Sequence, residues 1–259
     1  MKAIKRSSWS LPYLIFMILF VVLPLLLIVV YAFQDNSGHF TLSNITKFFT
    51  DKDALSTFAV SIEVAIETTA LCILLGYPAA WILSNKKYNK SAVTIVLFIL
   101  PMWINALMRT LATAQLFVMF GVGLGKGTLL FGMVYDYLPF MIYPIYNVLA
   151  KMDKSYVEAA VDLGAKPWTA FWKVTVPLSM PGVMSGILMV FMPTVSTFAI
   201  SEFLTNNKIK LFGTIIQENI NSSMWNYGAA LSLIMLIIIG ITSLLTGGDK
   251  EDQMEGGMV

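Results

Sequence analysis

The chain reads as an all-α integral membrane protein with six transmembrane helices, and three observations predict this. Hydrophobic residues fill 57% of its 259 positions and charged residues only 12%, against about 25% charged in an ordinary soluble domain. Mean hydropathy is +0.75. Six apolar stretches are each long enough to cross a hydrocarbon core, which takes about 20 helical residues. Strand-like alternation of apolar and polar residues is absent, so the spanning elements are helices rather than barrel strands.

The first span, about 11–33, follows Lys2, Lys5 and Arg6. It outlasts the roughly 7–15 residues of a secretory h-region and no small-x-small cleavage site follows, so it is expected to be retained. The polar loop 34–55 leads to a second span, about 56–84, with Glu63, Glu67 and the single cysteine, Cys72. One cysteine and one histidine, His39, provide neither a disulfide nor a His/Cys metal site within the chain, and Cys72 is read as a small packing residue. Lys86, Lys87 and Lys90 separate this span from a third, about 92–120, which contains Arg109. The fourth span, about 128–150, is followed by a polar segment, 151–180. The fifth, about 181–201, closes on Glu202, and after the loop 202–226 comes the sixth, about 227–246. The acidic, glycine-bearing tail 247–259 is expected to be disordered. Residues 1–259 are thus read as a single transmembrane domain. Pro24, Pro78, Pro101, Pro139, Pro144 and Pro193 lie within spans, where each removes a backbone donor and tends to kink its helix.

Charge asymmetry sets the orientation. With the N-terminus inside, eleven Lys and Arg residues fall in inner segments and five in outer loops, leaving Arg109 within a span. Basic residues favour the cytoplasmic side, so both termini and the segment 151–180 are expected in the cytoplasm.

Within that segment Ser155-Tyr156-Val157-Glu158 has the form of a capping box, which predicts a helix starting near Ser155. Gly164 suits a left-handed C-terminal cap, and Pro167 is placed to open the next helix. Trp168, Phe171 and Trp172, spaced three and four residues apart, share one face; Pro177 is expected to end that second helix. Taken alone, Glu158 reads as a cap and the three aromatics as an interfacial belt. The full spacing is more specific: Glu158-Ala159-Ala160, three residues, Gly164, nine residues, then Val174-Thr175-Val176-Pro177. It resembles the EAA loop of permease subunits of bacterial ABC importers.

That resemblance implies a type I (MetI-like) importer permease fold with a cytoplasmic coupling helix. Glu158, Ala159, Ala160, Gly164, Lys166 and Pro177 would form the coupling loop that seats in a separate ATPase. Only one such block occurs, so a second permease is implied, identical or paralogous. Gly121 to Thr128 is glycine-rich but lacks the spacing of a phosphate-binding loop, because Phe120 precedes Gly125 by five and Gly127 follows Lys126. No nucleotide site, cofactor or catalytic residue is therefore expected in this chain, and ATP would be bound by the partner.

Further segments resemble the B-type (PotB-type) permeases of spermidine/putrescine importers: Pro101-Met102-Trp103 with Leu107-Met108-Arg109-Thr110, Met133 to Met141, and Val190 to Leu204. Asp136 stands where asparagine is usual in that family. Over most of residues 9–246 the resemblance implies a polyamine importer in the bacterial inner membrane. Its partners would be an ABC ATPase dimer, a PotC-type permease, an extracytoplasmic polyamine-binding protein and the bilayer, with no nucleic acid.

Intramembrane charges cost about 2.5–3.5 kcal/mol each on insertion scales, so they face a cavity or a partner. Glu63 and Glu67 share a face of the second span, with Asp136 in the fourth and Glu202 ending the fifth; all four fall in the outer half, where an amine would enter. Trp103, Tyr135, Tyr137 and Tyr143 offer cation–π faces. The competing reading makes Arg109 a structural partner that neutralises Glu63, Glu67 or Asp136. A permease for another small solute fits the same coupling block. An ion-coupled secondary transporter leaves that block unexplained, and a membrane enzyme lacks a clustered nucleophile set.

Overall fold

The computed structural model describes residues 11–85, 89 and 93–247. The basic N-terminal residues, Lys86, Lys87, Lys90 and all of the tail beyond Gly247 lie outside the described residues. Helix dominates, as apolar sequence in lipid requires; the one β-bridge among the described residues joins Gln34 and Phe40.

Among the described residues thirteen α-helices follow in chain order: α1 Leu11–Met17, α2 Leu23–Ala32, α3 Ser43–Thr50, α4 Lys52–Ser84, α5 Val93–Ile99, α6 Ala106–Met119, α7 Lys126–Lys151, α8 Ser155–Asp162, α9 Pro167–Ala170, α10 Val176–Ser196, α11 Ala199–Thr205, α12 Phe212–Asn221 and α13 Trp225–Gly247. Among the described residues, five runs are long and apolar enough to cross a bilayer: Leu11–Ala32, Lys52–Ser84, Lys126–Lys151, Pro167–Ser196 and Trp225–Leu244. The pair Val93–Trp103 and Ala106–Met119 is apolar enough together and is bent by 90°, the geometry of a broken sixth span or of a re-entrant loop.

That bend falls at Pro101, one of the prolines expected to kink a span. A 3-10 turn, Leu100–Trp103, carries Pro101, and Ile104 is extended. Asn105 then restarts the helix, its side chain accepting the amides of Leu107 at 2.9 Å and Met108 at 3.4 Å. An asparagine N-cap satisfies donors that a new helix start leaves open.

Proline acts differently at two other places. A π-turn, Ile18–Val22, runs straight into α2 with Pro24 in its first turn, and a second, Phe171–Thr175, runs into α10 with Pro177 in the same position. A proline lacks its amide and crowds the carbonyl four residues back; a widened turn just ahead of it relieves both problems. Pro177 therefore does not end a helix. The fifth span starts at Pro167 rather than near 181 and ends at Ser196 rather than 201.

The chain forms two compact units. In the unit made by residues 1–56 and 215–240, Ala32, Ala230 and Leu233 form the apolar centre. Asn44 and Asn226 both donate to the carbonyl of Gln34, at 2.8 and 2.7 Å, and fasten the loop after α2. Asp51 accepts from the Tyr227 hydroxyl at 3.1 Å.

In the unit made by residues 57–214 and 241–259, α7 packs along α10 through Met141, Ile142, Ile145, Val183 and Val190. Gly182 and Gly186 allow the approach: a Cβ on Gly182 would sit 2.9 Å from the Pro144 carbonyl oxygen and 3.0 Å from Ile145 Cα. Small residues four apart are how helices in lipid come close enough for dispersion to hold them. Cys72 is buried in this core as a packing residue. The Tyr77 hydroxyl and Ser179 Oγ, 2.8 Å apart, tie α4 to α10.

Candidate functional site

The segment between α7 and the fifth span is a compact helical elbow. Asp153 opens it by accepting the Ser155 amide at 2.9 Å, and that amide, then the Ser155 hydroxyl, holds the Asp153 carboxyl below its ordinary range. This corrects the capping box read from Ser155 and Glu158. Ser155 is already helical, and no side chain caps α8 from Lys154. A carboxylate placed two residues earlier takes the first free donor with a charge-assisted bond.

The other end of α8 closes as a complete Schellman motif. Gly164 has φ +85°, its amide donates to Val161 at 2.8 Å, and the Ala165 amide donates to Ala160 at 3.0 Å. The left-handed conformation is why a glycine stands there; a Cβ would meet nothing within 4 Å. Pro167 opens α9 from the extended Lys166. Glu158, Ala159, Gly164 and Lys166 are exposed and Ala160 is half-buried. Leu163, at the tip, is 90% exposed.

Phe171 anchors the elbow to α4. Its ring meets Tyr77 and Trp81 edge-on at 6.0 and 5.7 Å, and Trp168 and Trp172 at 5.9 and 5.4 Å. The three aromatics do share a face, beside an apolar groove of about 730 Å³.

The intramembrane charges sort into two groups. Arg109 pairs with Asp136 and with neither glutamate: its Nη2 lies 3.1 Å from Asp136 Oδ1, with both side chains buried. Thr110 donates to Asp136 Oδ2 at 3.2 Å. Arg109 also lies 5.5 Å above the centre of the Tyr135 ring. A cavity of about 410 Å³ at the break between α5 and α6 is lined by Trp103, Asn105, Arg109, Asp136 and Tyr137, among others. Asp136, ten residues into α7, is about 15 Å from that helix's start at 1.5 Å per residue, near the middle of the span.

Glu63 and Glu67 take a different cation. Lys126 donates to them at 2.6 and 2.9 Å from the first position of α7. The glycine-rich turn before it, with Gly121 at φ +69°, delivers that lysine. Tyr143 is exposed on α7, and Glu202 is half-buried in α11 with no ion-pair partner among the described residues. The cavity thus gathers Trp103 and Asp136, with Tyr135 beside them through Arg109; Glu63, Glu67, Tyr143 and Glu202 lie outside its lining. Lys126, Asn105 and Thr110 were missed by sequence reasoning. Asn before a fresh apolar run is a cap signal that marks the break; the other two carry no local signal.

Broken and proline-adjusted spans, a charged cavity at mid-span and an exposed helical elbow fit a membrane transport subunit. The chain belongs to the family described as binding-protein-dependent transport system inner membrane component, which matches residues 72–247. It is 32% identical over 253 residues to the spermidine/putrescine transport system permease protein PotB of Escherichia coli, covering 88% of this chain and 92% of that protein. The Haemophilus influenzae protein of the same name is 30% identical, covering 87% of each chain. A bacterial ABC transporter that imports the acidic polysaccharide alginate has the same fold, with a TM-score of 0.69 at 16% identity, over 96% of this chain and all of that one.

Proposed function

We propose that this chain is the permease subunit of an ATP-driven importer that carries polyamines, spermidine or putrescine, into the bacterial cytoplasm. The observation that carries the reading is the elbow of α8 and Gly164, sealed at the C-terminal end of the helix by its Schellman motif, which leaves Leu163, Tyr156 and Val161 uncovered. Apolar side chains at a tip outside the spans need a protein surface to cover them.

In this reading the ATPase dimer grips Glu158, Ala159, Ala160, Gly164 and Lys166. Its closure reaches the bundle through Phe171, the π-turn and Pro177. A second, PotC-type permease supplies the other elbow, and an extracytoplasmic binding protein delivers cargo. Both termini lie in the inner membrane's cytoplasmic side, following the basic-residue count. ATP is bound by the partner, and this chain acts as a conduit rather than an enzyme.

Polyamine cargo is supported by the names of the relatives and by the charge lining. Asp136 supplies a carboxylate to the mid-span cavity, and Trp103 and Tyr137 supply ring faces for cations there. Reconstitution of the four components in liposomes tests the reading. Spermidine should stimulate ATP hydrolysis and be taken up; stimulation by an uncharged solute but not by any polyamine would refute the cargo.

A further inference from the structure

We propose that Asp136 is an ammonium receptor in the middle of the membrane and that Arg109 is its built-in competitor, displaced when cargo arrives. The proposal rests on the polyamine reading and names the site where that cargo is held.

Three features of the pair carry it. Neither partner is well bonded. Arg109 is only 7% exposed, yet its Nε and Nη1 are buried without partners. Asp136 Oδ1 accepts no hydrogen bond, since the Arg109 Nη2 contact at 3.1 Å lacks hydrogen-bond alignment. Its Oδ2 has only the Thr110 hydroxyl at 3.2 Å, long for a bond that prefers about 2.7–2.8 Å. A buried ion pair recovers its desolvation cost only with good geometry and its remaining donors satisfied. This pair has neither, which leaves Asp136 Oδ1 with acceptor capacity for an incoming donor.

Second, there is room for the exchange. The cavity of about 410 Å³ is lined by both Arg109 and Asp136, with Trp103 and Tyr137 beside them. An alkylammonium is a compact charge with three donors, able to approach Oδ1 in line where the planar guanidinium does not.

Third, Arg109 makes a second contact at the same time as its contact to Asp136. The Tyr135 ring lies 5.5 Å from its Cζ, close enough for a cation–π attraction. Keeping the ring while yielding the carboxylate lets one cation replace another, so Asp136 is never left as an unpaired charge in the membrane. An uncharged solute cannot make the exchange, and the pair then stays shut. The device selects for positive charge at a point beyond any selection by a delivery protein.

The test measures spermidine binding by calorimetry to the complete transporter in nanodiscs, without the binding protein. Competition reduces apparent affinity by the fraction of receptor left free. With the free form a minor state of about 10% or less, Arg109→Gln should tighten binding about ten-fold or more. The double variant Arg109→Gln with Asp136→Asn strands no charge and should bind no spermidine. Binding by Arg109→Gln no tighter than wild type, or binding retained in the double variant, overturns the proposal. If Arg109→Gln does not assemble, Tyr135→Leu decides: losing the ring contact should weaken binding, and unchanged affinity overturns the exchange. Spermidine-stimulated ATP hydrolysis by the wild-type complex with its binding protein is read in parallel. If it is present while the variants behave alike, the exchange alone is wrong; if it is absent, the polyamine reading has failed.

Discussion

The amide of Ala165 reaches back past Gly164 to the carbonyl of Ala160 at 3.0 Å, sealing the helix that leads the elbow. Because a Cβ on Gly164 would meet nothing, the requirement there is the sign of φ and not space.

Substitutions at Gly164 should therefore rank by tolerance of the left-handed region, where an ordinary L-residue costs about 1–2 kcal/mol. Gly164→Asn should keep most uptake, since asparagine enters that region readily, while Gly164→Val should lose it with membrane insertion unchanged. Uptake assays at matched expression check the ranking. Equal activity of the two variants would show that the seal is dispensable.

The start of the same helix should respond to acid. Asp153 has its carboxyl held below its ordinary value of 3.8 by the Ser155 amide and hydroxyl. A lowered pKa means the bond contributes above that ordinary value and is lost as pH falls through the folded one. Protection of the Ser155 to Glu158 amides should be constant near neutrality and drop below about pH 4, whereas Asp153→Asn should show no such acid step. Hydrogen-exchange protection factors read it directly.

Packing of α7 on α10 should be sensitive at Gly182, where a methyl group would press on the backbone of Pro144 and Ile145. Gly182→Ala should destabilise by about 1–3 kcal/mol, the usual cost of overpacking. Gly240, in α13, has nothing within 4 Å of a Cβ, so Gly240→Ala should stabilise by about 0.4–1 kcal/mol. Thermal unfolding in detergent should move the two variants in opposite directions.

Lys126 bridges Glu63 and Glu67 at a partly exposed position. Pairs of that kind add little stability and are screened by salt. Lys126→Met should leave the melting temperature nearly unchanged at high salt, with a small loss at low salt. A large loss at both would mean the bridge holds the fold.

What was legible in the sequence was local. The elbow could be read because its Schellman glycine, its Pro167 and its aromatic spacing act within a few residues of one another. The long apolar helices could be read because lipid demands long apolar runs. Pro177 misled: a proline read alone signals a stop, and only the widened turn from Phe171 to Thr175 shows how the helix continues through it. The partner of Arg109 was equally out of reach. Three acids were available, and which one lies 3.1 Å away depends on how α6, restarted by Asn105, leans on α7. Gly182 and Gly186 sit four apart in plain sight, but their meaning needs the facing helix.

The central claim is that the elbow is a cytoplasmic handle gripped by an ATPase, and labelling of its tip tests that most directly. With Cys72, buried in the core, replaced by alanine, a single cysteine at Leu163 would be treated with a membrane-impermeant maleimide. Inside-out vesicles stripped of the ATPase should label, intact cells should not, and adding the ATPase back should protect the site. Labelling in intact cells, or labelling unaffected by the ATPase, would contradict the account.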